Sequence, residues 1–177
     1  TTDLELFGID PKDNGAMADE SAEMILKIWS QDPPYHLNGR FWNIDLEKNV
    51  DEETLIGYLH KPLQQPHPPI FAPAMSMNSN TMKTAGRRGW LPISSNLIAG
   101  NVVADNWQTY ESAAREAGGT PDRADWRVCR SIFIGDTCEE AEAAVRSNSL
   151  GRNFQYIGGL FDKGLGRKVM KRNPDAP

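Results

Sequence analysis

The sequence predicts an α/β fold built around a parallel sheet, and three observations lead to this prediction. A short apolar run followed by a helical pattern occurs three times between residues 70 and 148. Helix signals mark these units, with Gly118-Gly119 as a stop and Thr137 with Glu140 as a capping box. Upstream, Asn38-Gly39 lies between aromatic-rich segments and predicts a β-hairpin. Repeated strand–helix units place strands in parallel, because right-handed crossovers lay the helices over the sheet.

Residues 1–69 are predicted to form a helix and hairpin region. Residues 3–13 resemble a loop whose apolar side chains tuck onto a larger body. Residues 15–31 have the apolar spacing of an amphipathic helix, which Asp32-Pro33-Pro34 ends. The hairpin over 35–44 should turn through a two-residue type I′ turn at Asn38-Gly39, which requires positive φ at both positions. Residues 55–63 are expected to hold a short extended piece.

Residues 70–148 are predicted to form the three strand–helix units. The strands fall at 70–75, 90–94 and 126–134, and the helices at 80–88, 102–117 and 138–148. Residues 149–177 are expected to form one or two helices or a flexible tail. The residues themselves leave two architectures open, a (β/α)8 barrel and a doubly wound sheet.

Composition excludes some classes of function. The net charge of −5 and the lack of a long basic run argue against nucleic acid as a partner. No apolar run is long enough for a membrane span, and no secretory signal is visible, so a cytoplasmic location is expected. Cys129 and Cys138 form no Cys-x-x-Cys pattern and are interpreted as reduced packing residues, with a disulfide as the alternative.

The candidate binding site is the stretch 65–80, in which a proline-rich entry leads through a buried strand into a polar turn and a helix. Ser76 and Ser79 fall where that helix begins, so hydroxyls and backbone N–H groups could bind an anion such as a phosphate. The alternative is that Ser79 or Asn80 simply caps the helix. The next strand also ends in serines, Ser94 and Ser95, at the edge where α/β folds bind ligands.

Other motifs in the sequence give no evidence for a metal site or a catalytic site. The three histidines, His36, His60 and His67, belong to no cluster with metal-ligand spacing, so no metal site is predicted. No Walker A, Gly-x-Gly-x-x-Gly or Gly-x-Ser-x-Gly motif occurs. No catalytic residue is assigned.

Several stretches, in order, resemble the bacterial luciferase-like, flavin-dependent monooxygenases, and the limonene- and alkanal-type subgroup in particular. The most specific is Gln64-Gln65-Pro66-His67-Pro68-Pro69-Ile70, which is similar to the family's Pro-His-Pro-Pro-Ile signature. The others are Leu6-Phe7-Gly8-Ile9-Asp10, the helix ending Ile28-Trp29, the turn Gly39-Arg40-Phe41-Trp42, and the segment 85–94.

The resemblance implies a TIM-type (β/α)8 barrel that uses reduced FMN and O2 to oxidise a small organic substrate. It places the flavin phosphate at Met75, Ser76 and Ser79, with Ile93 and Ser94 beside the cofactor. It also implies a longer parent chain, so residues 1–177 are expected to be a central fragment of one barrel domain, without the N-terminal strands and the last strand. Many members have Gly-Gly-Ser or Ala-Glu-Ser where this chain has Ala74-Met75-Ser76, so the resemblance does not define the detailed phosphate contacts here.

The resemblance leaves two alternatives open. The chain could belong to a relative that uses the deazaflavin F420 for hydride transfer, or to a non-catalytic relative that binds a flavin or acts as a structural subunit. A separate flavin reductase is an expected partner. A homo-oligomer is also expected, since an open parallel sheet exposes unpaired edges.

Overall fold

The computed structural model describes residues 2–163, which divide into two compact units between Pro68 and Pro69. Unit one contains α1 (Thr2–Leu6), α2 (Asn14–Ser30), β1 (Tyr35–Asn38) and β2 (Asn43–Leu46). Unit two contains β3 (Phe71–Ala74), α3 (Asn80–Arg88), β4 (Leu91–Ser94), α4 (Gly100–Glu116), β5 (Arg127–Val128), α5 (Cys138–Ser147) and α6 (Ser149–Lys163). The expectation that 1–177 belong to a single domain stays a prediction.

The first residues are helical, so the prediction of a loop over 3–13 is wrong for its first half. Asp3 and Glu5 lie in the first turn of α1, where carboxylates interact favourably with the helix dipole. The helix ends at Leu6 and is followed by a turn at Gly8, whose φ of 65° is adopted most readily by glycine. Leu6 and Phe7 do not tuck away, because they are 78% and 74% exposed.

The long helix α2 confirms the pattern over 15–31. Its C-terminal carbonyls are bound by a lysine from downstream: Lys61 Nζ donates to the carbonyl oxygen of Ile28 at 2.7 Å and also to that of Gln31. A cation at this position complements the negative end of the helix dipole. No strand forms over the predicted extended piece at 55–63: the chain turns at Leu55, which has a φ of 58°, and Ile56 makes only an isolated bridge with Asp51.

The hairpin is confirmed, but its turn is not the predicted two-residue type I′. Asn38 pairs with Asn43, so four residues connect the strands, and Gly39 is not among the residues with positive φ. The carboxylate of Glu20 organises this loop by accepting backbone N–H groups of residues 40–42 at 2.8 to 2.9 Å. A Cβ on Gly39 would lie 2.1 Å from Glu20 Oε1, so the glycine leaves room for the carboxylate.

Unit two confirms an α/β fold with a parallel sheet. Its three strands run in the order β3-β4-β5, and both ladders are parallel. Helices α3 and α4 pack on one face of this sheet, around a core of Ala72, Ala74, Met82, Ala85, Trp107 and Tyr110. The residues predicted for the buried sides of these helices are buried: Met82, Ala85, Val103, Trp107, Tyr110 and Ala114.

The third strand is much shorter than the predicted 126–134. Only Arg127 and Val128 pair with β4, because the ladder has no partner once β4 ends at Ser94. Directly after β5, the Cys129 N–H donates a hydrogen bond to the carbonyl oxygen of Ser94, the last residue of β4, at 2.9 Å. Ile132 and Ile134, predicted to share a strand face, are 77% and 87% exposed.

The last helices begin where the sequence indicates. Thr137 Oγ1 accepts the N–H of Glu140 at 3.1 Å, which confirms the cap of α5. Residues 149–163 form a helix, which agrees with the helical alternative predicted for 149–177. The rest of that predicted tail, 164–177, lies outside the described residues. None of the described helices is long and apolar enough to cross a bilayer.

Candidate functional site

The carboxyl ends of the three parallel strands lie side by side. Ala74 of β3 is in register with Ser94 of β4, which is in register with Val128 of β5. The residues that follow these three positions therefore emerge along one edge of the sheet. Ligands of α/β folds bind at such an edge, because the loops and helix N-termini there supply polar groups.

The loop from β3 to α3 carries three of the predicted site residues. Ser76 is exposed to solvent, whereas Ser79 is only 7% exposed. Met75 is half-buried, and its side chain packs against the apolar cluster of Ile98, Ala99, Val102 and Val103. Ser76 thus offers an accessible hydroxyl at this edge, Ser79 lies buried at the helix start, and Met75 contributes its backbone and a packing contact.

The N-terminus of α3 has no side-chain cap. Ser79 has the extended backbone of an N-cap residue and its carbonyl oxygen accepts the Lys83 N–H at 3.1 Å, but its hydroxyl makes no capping bond. No acidic residue lies in the first turn of α3. In contrast, α5 begins with a capping Thr137 and two glutamates, Glu139 and Glu140. The first N–H groups of α3 are thus uncapped by side chains, as an anion site at this helix requires.

The N-terminus of α4 also lacks a side-chain cap, but it offers fewer polar groups. It follows Ile98 and Ala99, which are buried at 4% and 6% exposure. Arg130 stabilises the loop before it, since its Nη1 donates to the carbonyl oxygens of Ser95 at 3.2 Å and Ile98 at 3.1 Å. Ser95 before α4 also carries a hydroxyl, but its Oγ accepts the Leu97 N–H at 3.2 Å, so the hydroxyls nearest in sequence to an uncapped helix start are those of Ser76 and Ser79, before α3.

Ile93 and Ser94 point to opposite faces of the sheet, since side chains alternate along a strand. Ser94 is fully buried on the face that the helices cover, and its Oγ accepts the indole N–H of Trp126 at 3.1 Å. Ile93 lies on the other face and is half-buried. A cofactor on one face can therefore contact only one of these two side chains, and Ile93 is the one that α3 and α4 leave accessible.

Two residues that the sequence prediction did not include contact the same loop. Asp105 Oδ2 accepts the N–H of Asn78 at 2.6 Å, and Asn106 Nδ2 donates to the carbonyl oxygen of Ala74 at 3.4 Å. Asn106 falls at helical spacing between the buried Val103 and Tyr110. A polar residue on such an apolar stripe is a signal that could have identified it.

The three histidines lie in unit one, and two of them contact other side chains of that unit. His67 is 6.4 Å from Trp29 between ring centroids, and His36 Nδ1 lies 2.7 Å from Asp45 Oδ1. Within residues 2–163, no group of three or more His, Cys, Asp or Glu side chains is arranged to hold a metal ion.

The strand–helix units and the polar loop after Pro-His-Pro-Pro-Ile agree with a family assignment from sequence. The family profile described as luciferase-like monooxygenase matches residues 1–173, and the chain belongs to this family.

Individual relatives make the relationship more specific. The chain is 30% identical over 155 residues to 3,6-diketocamphane 1,6-monooxygenase of Pseudomonas putida, a match that covers 84% of the chain and 40% of that protein. It is 28% identical to limonene 1,2-monooxygenase of Rhodococcus erythropolis, with 84% and 36% covered.

A solved structure agrees with these matches. The oxygenating constituent of 3,6-diketocamphane monooxygenase from Pseudomonas putida, a type II Baeyer-Villiger monooxygenase in complex with FMN, superposes with a TM-score of 0.69 at 28% identity. The superposition covers 88% of the chain and 42% of that structure. The chain thus spans about 40% of the length of these relatives.

Proposed function

We propose that the chain is part of an FMN-dependent monooxygenase that oxidises a small organic substrate with O2. The observation that carries this proposal is the open helix start at α3 directly after the family's proline-histidine signature. Two relatives support it, since both are named monooxygenases and the structure of one contains FMN. When bound, reduced FMN would supply the activation of O2 for transfer of an oxygen atom to the substrate.

The proposed architecture is the central part of a TIM-type (β/α)8 barrel. In the described residues the parallel sheet has three strands, and both of its outer strands, β3 and β5, have an unpaired edge. Eight strands are needed to close such a barrel, so the remaining strands would pair with these two edges. The share of each relative that the chain covers supports this arrangement. The hairpin of β1 and β2 would then be an insertion in the barrel.

The phosphate of FMN would bind at the loop between β3 and α3. The N–H groups of Asn80 and Thr81 are first-turn donors without intrahelical acceptors, and the exposed Ser76 and the N-cap residue Ser79 directly precede them in the chain. The backbone of Met75 would border the phosphate. These donors suit a dianion, because each N–H or O–H bond to a charged oxygen is stronger than a neutral bond.

The ring of the flavin would lie toward the face of the sheet that carries Ile93. That face is not covered by α3 or α4, and an apolar side chain there would pack against a flat aromatic ring. Ser94 stays a proposed neighbour of the cofactor through its backbone, because its hydroxyl is engaged by Trp126 on the other face. No catalytic residue is proposed.

The test compares FMN with riboflavin, which lacks the phosphate. Both ligands are titrated anaerobically, in reduced form, against protein expressed from its complete coding sequence. Wild-type protein should bind FMN at least about a hundredfold more tightly, because two charge-assisted bonds contribute roughly 1.5–3 kcal/mol each. Ser76→Ala and Ser79→Ala should each reduce this ratio several-fold. Ser147→Ala, on α5, is the matched control and should leave it unchanged. Equal affinities for the two flavins would refute the assignment.

The same titration, extended to reduced F420, distinguishes the two cofactors, and substrate oxidation measured under O2 distinguishes a catalytic protein from a non-catalytic relative. The relatives give F420 no support, so reduced F420 should bind no better than riboflavin. A non-catalytic relative would bind FMN without oxidising any substrate. The oxygenating constituent named for one relative suggests a separate partner that supplies reduced flavin, and we propose a reductase in that role. A homo-oligomer and a cytoplasmic location remain parts of the proposal.

A further inference from the structure

The loop between β3 and α3 is held at both of its ends by two consecutive residues of α4. Near its start, Asn106 Nδ2 donates to the Ala74 carbonyl oxygen at 3.4 Å. Near its end, Asp105 Oδ2 accepts the Asn78 N–H at 2.6 Å. We propose that Asp105 and Asn106 are positioning residues for the flavin phosphate, which fix this loop without touching the ligand. This inference rests on the proposed function.

Asn106 is poorly explained by fold stability. Its side chain is 0% exposed, and its Oδ1 has no hydrogen-bond partner in the part of the chain that the structure describes. A buried acceptor without a partner is destabilising, and an apolar side chain of similar size would avoid that cost. The reversed amide would place Oδ1 against the Ala74 carbonyl oxygen, so the observed orientation is the one that bonds. The hydrogen bond that the Asn106 side chain makes is therefore the one to the loop.

Attraction of the phosphate does not explain why an aspartate occupies position 105. A carboxylate close to a phosphate site opposes anion binding by charge. Its geometry is that of a hydrogen-bond acceptor, since it takes the Asn78 N–H and also the Thr109 hydroxyl at 3.4 Å. Asn78 has a φ of 51°, the left-handed conformation that turns the chain toward α3. The carboxylate stabilises the conformation in which this turn delivers Ser79 to the helix start.

The expected effect on binding follows from preorganisation. With both ends fixed, the Ser76 hydroxyl and the first N–H groups of α3 keep one arrangement before the ligand arrives. If either contact is lost, the loop must be ordered during binding, and that ordering weakens affinity for the phosphate. Affinity for riboflavin, which has no phosphate, should not change.

Two substitutions at Asp105 isolate the hydrogen bond from the charge. Asp105→Asn and Asp105→Ala both remove the negative charge, but only the asparagine keeps an acceptor for the Asn78 N–H. Asp105→Ala should bind FMN roughly tenfold more weakly than Asp105→Asn, the ratio expected for one strong hydrogen bond. The Asn78 amide should also exchange with deuterium faster in Asp105→Ala in the absence of ligand. Equal affinity and equal exchange in the two variants would overturn the role of Asp105.

A substitution at Asn106 separates binding from stability. Asn106→Leu removes the unpaired oxygen, so the unfolding midpoint in urea should stay the same or rise. The ratio of riboflavin to FMN dissociation constants should nevertheless fall several-fold. Asn101→Leu, at an exposed position of the same helix, is the matched control and should change neither quantity. A merely structural residue would lower stability and leave the ratio unchanged, and that result would overturn the inference.

The outcomes distinguish this inference from the proposed function. If wild-type protein does not discriminate FMN from riboflavin, the phosphate site itself is wrong and the inference is overturned with it. If wild-type protein discriminates and the variants at 105 and 106 retain the same ratio, the proposed function stands and only the positioning role is overturned.

Discussion

Gly86 allows α3 to lie directly against α4, and Gly86→Ala should destabilise the protein. A Cβ at this position would lie 2.5 Å from the Tyr110 carbonyl oxygen, 2.8 Å from the Ala114 nitrogen and 3.0 Å from the Ala113 Cβ. These atoms belong to the backbone and first side-chain carbon of α4, so no flexible group can move aside. The two helices would have to separate, and α3 would shift with its N-terminus.

The magnitude follows from two opposing effects. Overpacking a closely packed contact costs about 1–3 kcal/mol. Alanine in place of glycine within a helix recovers about 0.5–1 kcal/mol, because glycine is the more flexible residue in the unfolded chain. The net expectation is a loss centred near about 1 kcal/mol and reaching about 2.5 kcal/mol in the free energy of unfolding.

Urea unfolding followed by tryptophan fluorescence measures this loss. Trp107 and Trp126 stack at 5.3 Å between ring centroids beside the α3–α4 contact, so their emission reports on this region. The control is Gly158→Ala on α6, where a new Cβ meets nothing within 4 Å. The control should gain about 0.5–1 kcal/mol from helix propensity alone. If Gly86→Ala gains stability like the control, the close approach of the two helices is refuted.

Three further predictions concern the core, a helix cap and a carboxylate. Met82 is 0% exposed, so Met82→Ala should lower the free energy of unfolding by about 2–5 kcal/mol, and a loss below 1 kcal/mol would contradict its place in the core. Thr137→Ala should cost about 1 kcal/mol and Thr137→Ser much less, as urea midpoints would show; equal losses would argue against the cap. For Glu20, desolvation raises the pKa of the carboxyl, but the backbone N–H donors of Phe41, Trp42 and Arg40 and the charge of Arg40 together lower it by more. The net pKa therefore lies below its ordinary value. Its stabilising contribution is therefore present above the unfolded-state pKa and is lost as pH falls through the lower folded-state pKa; Glu20→Gln should flatten that acid dependence, and an unchanged acid profile would contradict it.

The sequence predicted the strand–helix units well because local signals agree with packing there. Met82 and Ala85 have helical spacing and are both buried against the sheet. The Thr137 cap was also predictable, since its signal lies within four residues. The third strand was overextended because strand length depends on the partner: Ile132 and Ile134 alternate like a strand, but β4 ends before it could pair with them.

The hairpin shows how a distant side chain changes a local prediction. Asn38-Gly39 is the usual signal of a tight turn, but Glu20, which lies on α2, accepts three N–H groups of the following loop and holds a wider connection. The candidate site shows the same limit. Ser76 and Ser79 could be proposed from the signature before them, whereas Asp105 and Asn106 lie on the next helix, and only the fold brings them to the loop.

The most direct test of the central claim is a crystal structure of the protein, expressed from its complete coding sequence, with FMN bound. Phosphate oxygens should lie within about 3 Å of the N–H groups of Asn80 and Thr81, with the Ser76 or Ser79 hydroxyl completing the contacts. A phosphate bound elsewhere, with the first turn of α3 left to solvent, would contradict the assignment of this loop as the flavin phosphate site.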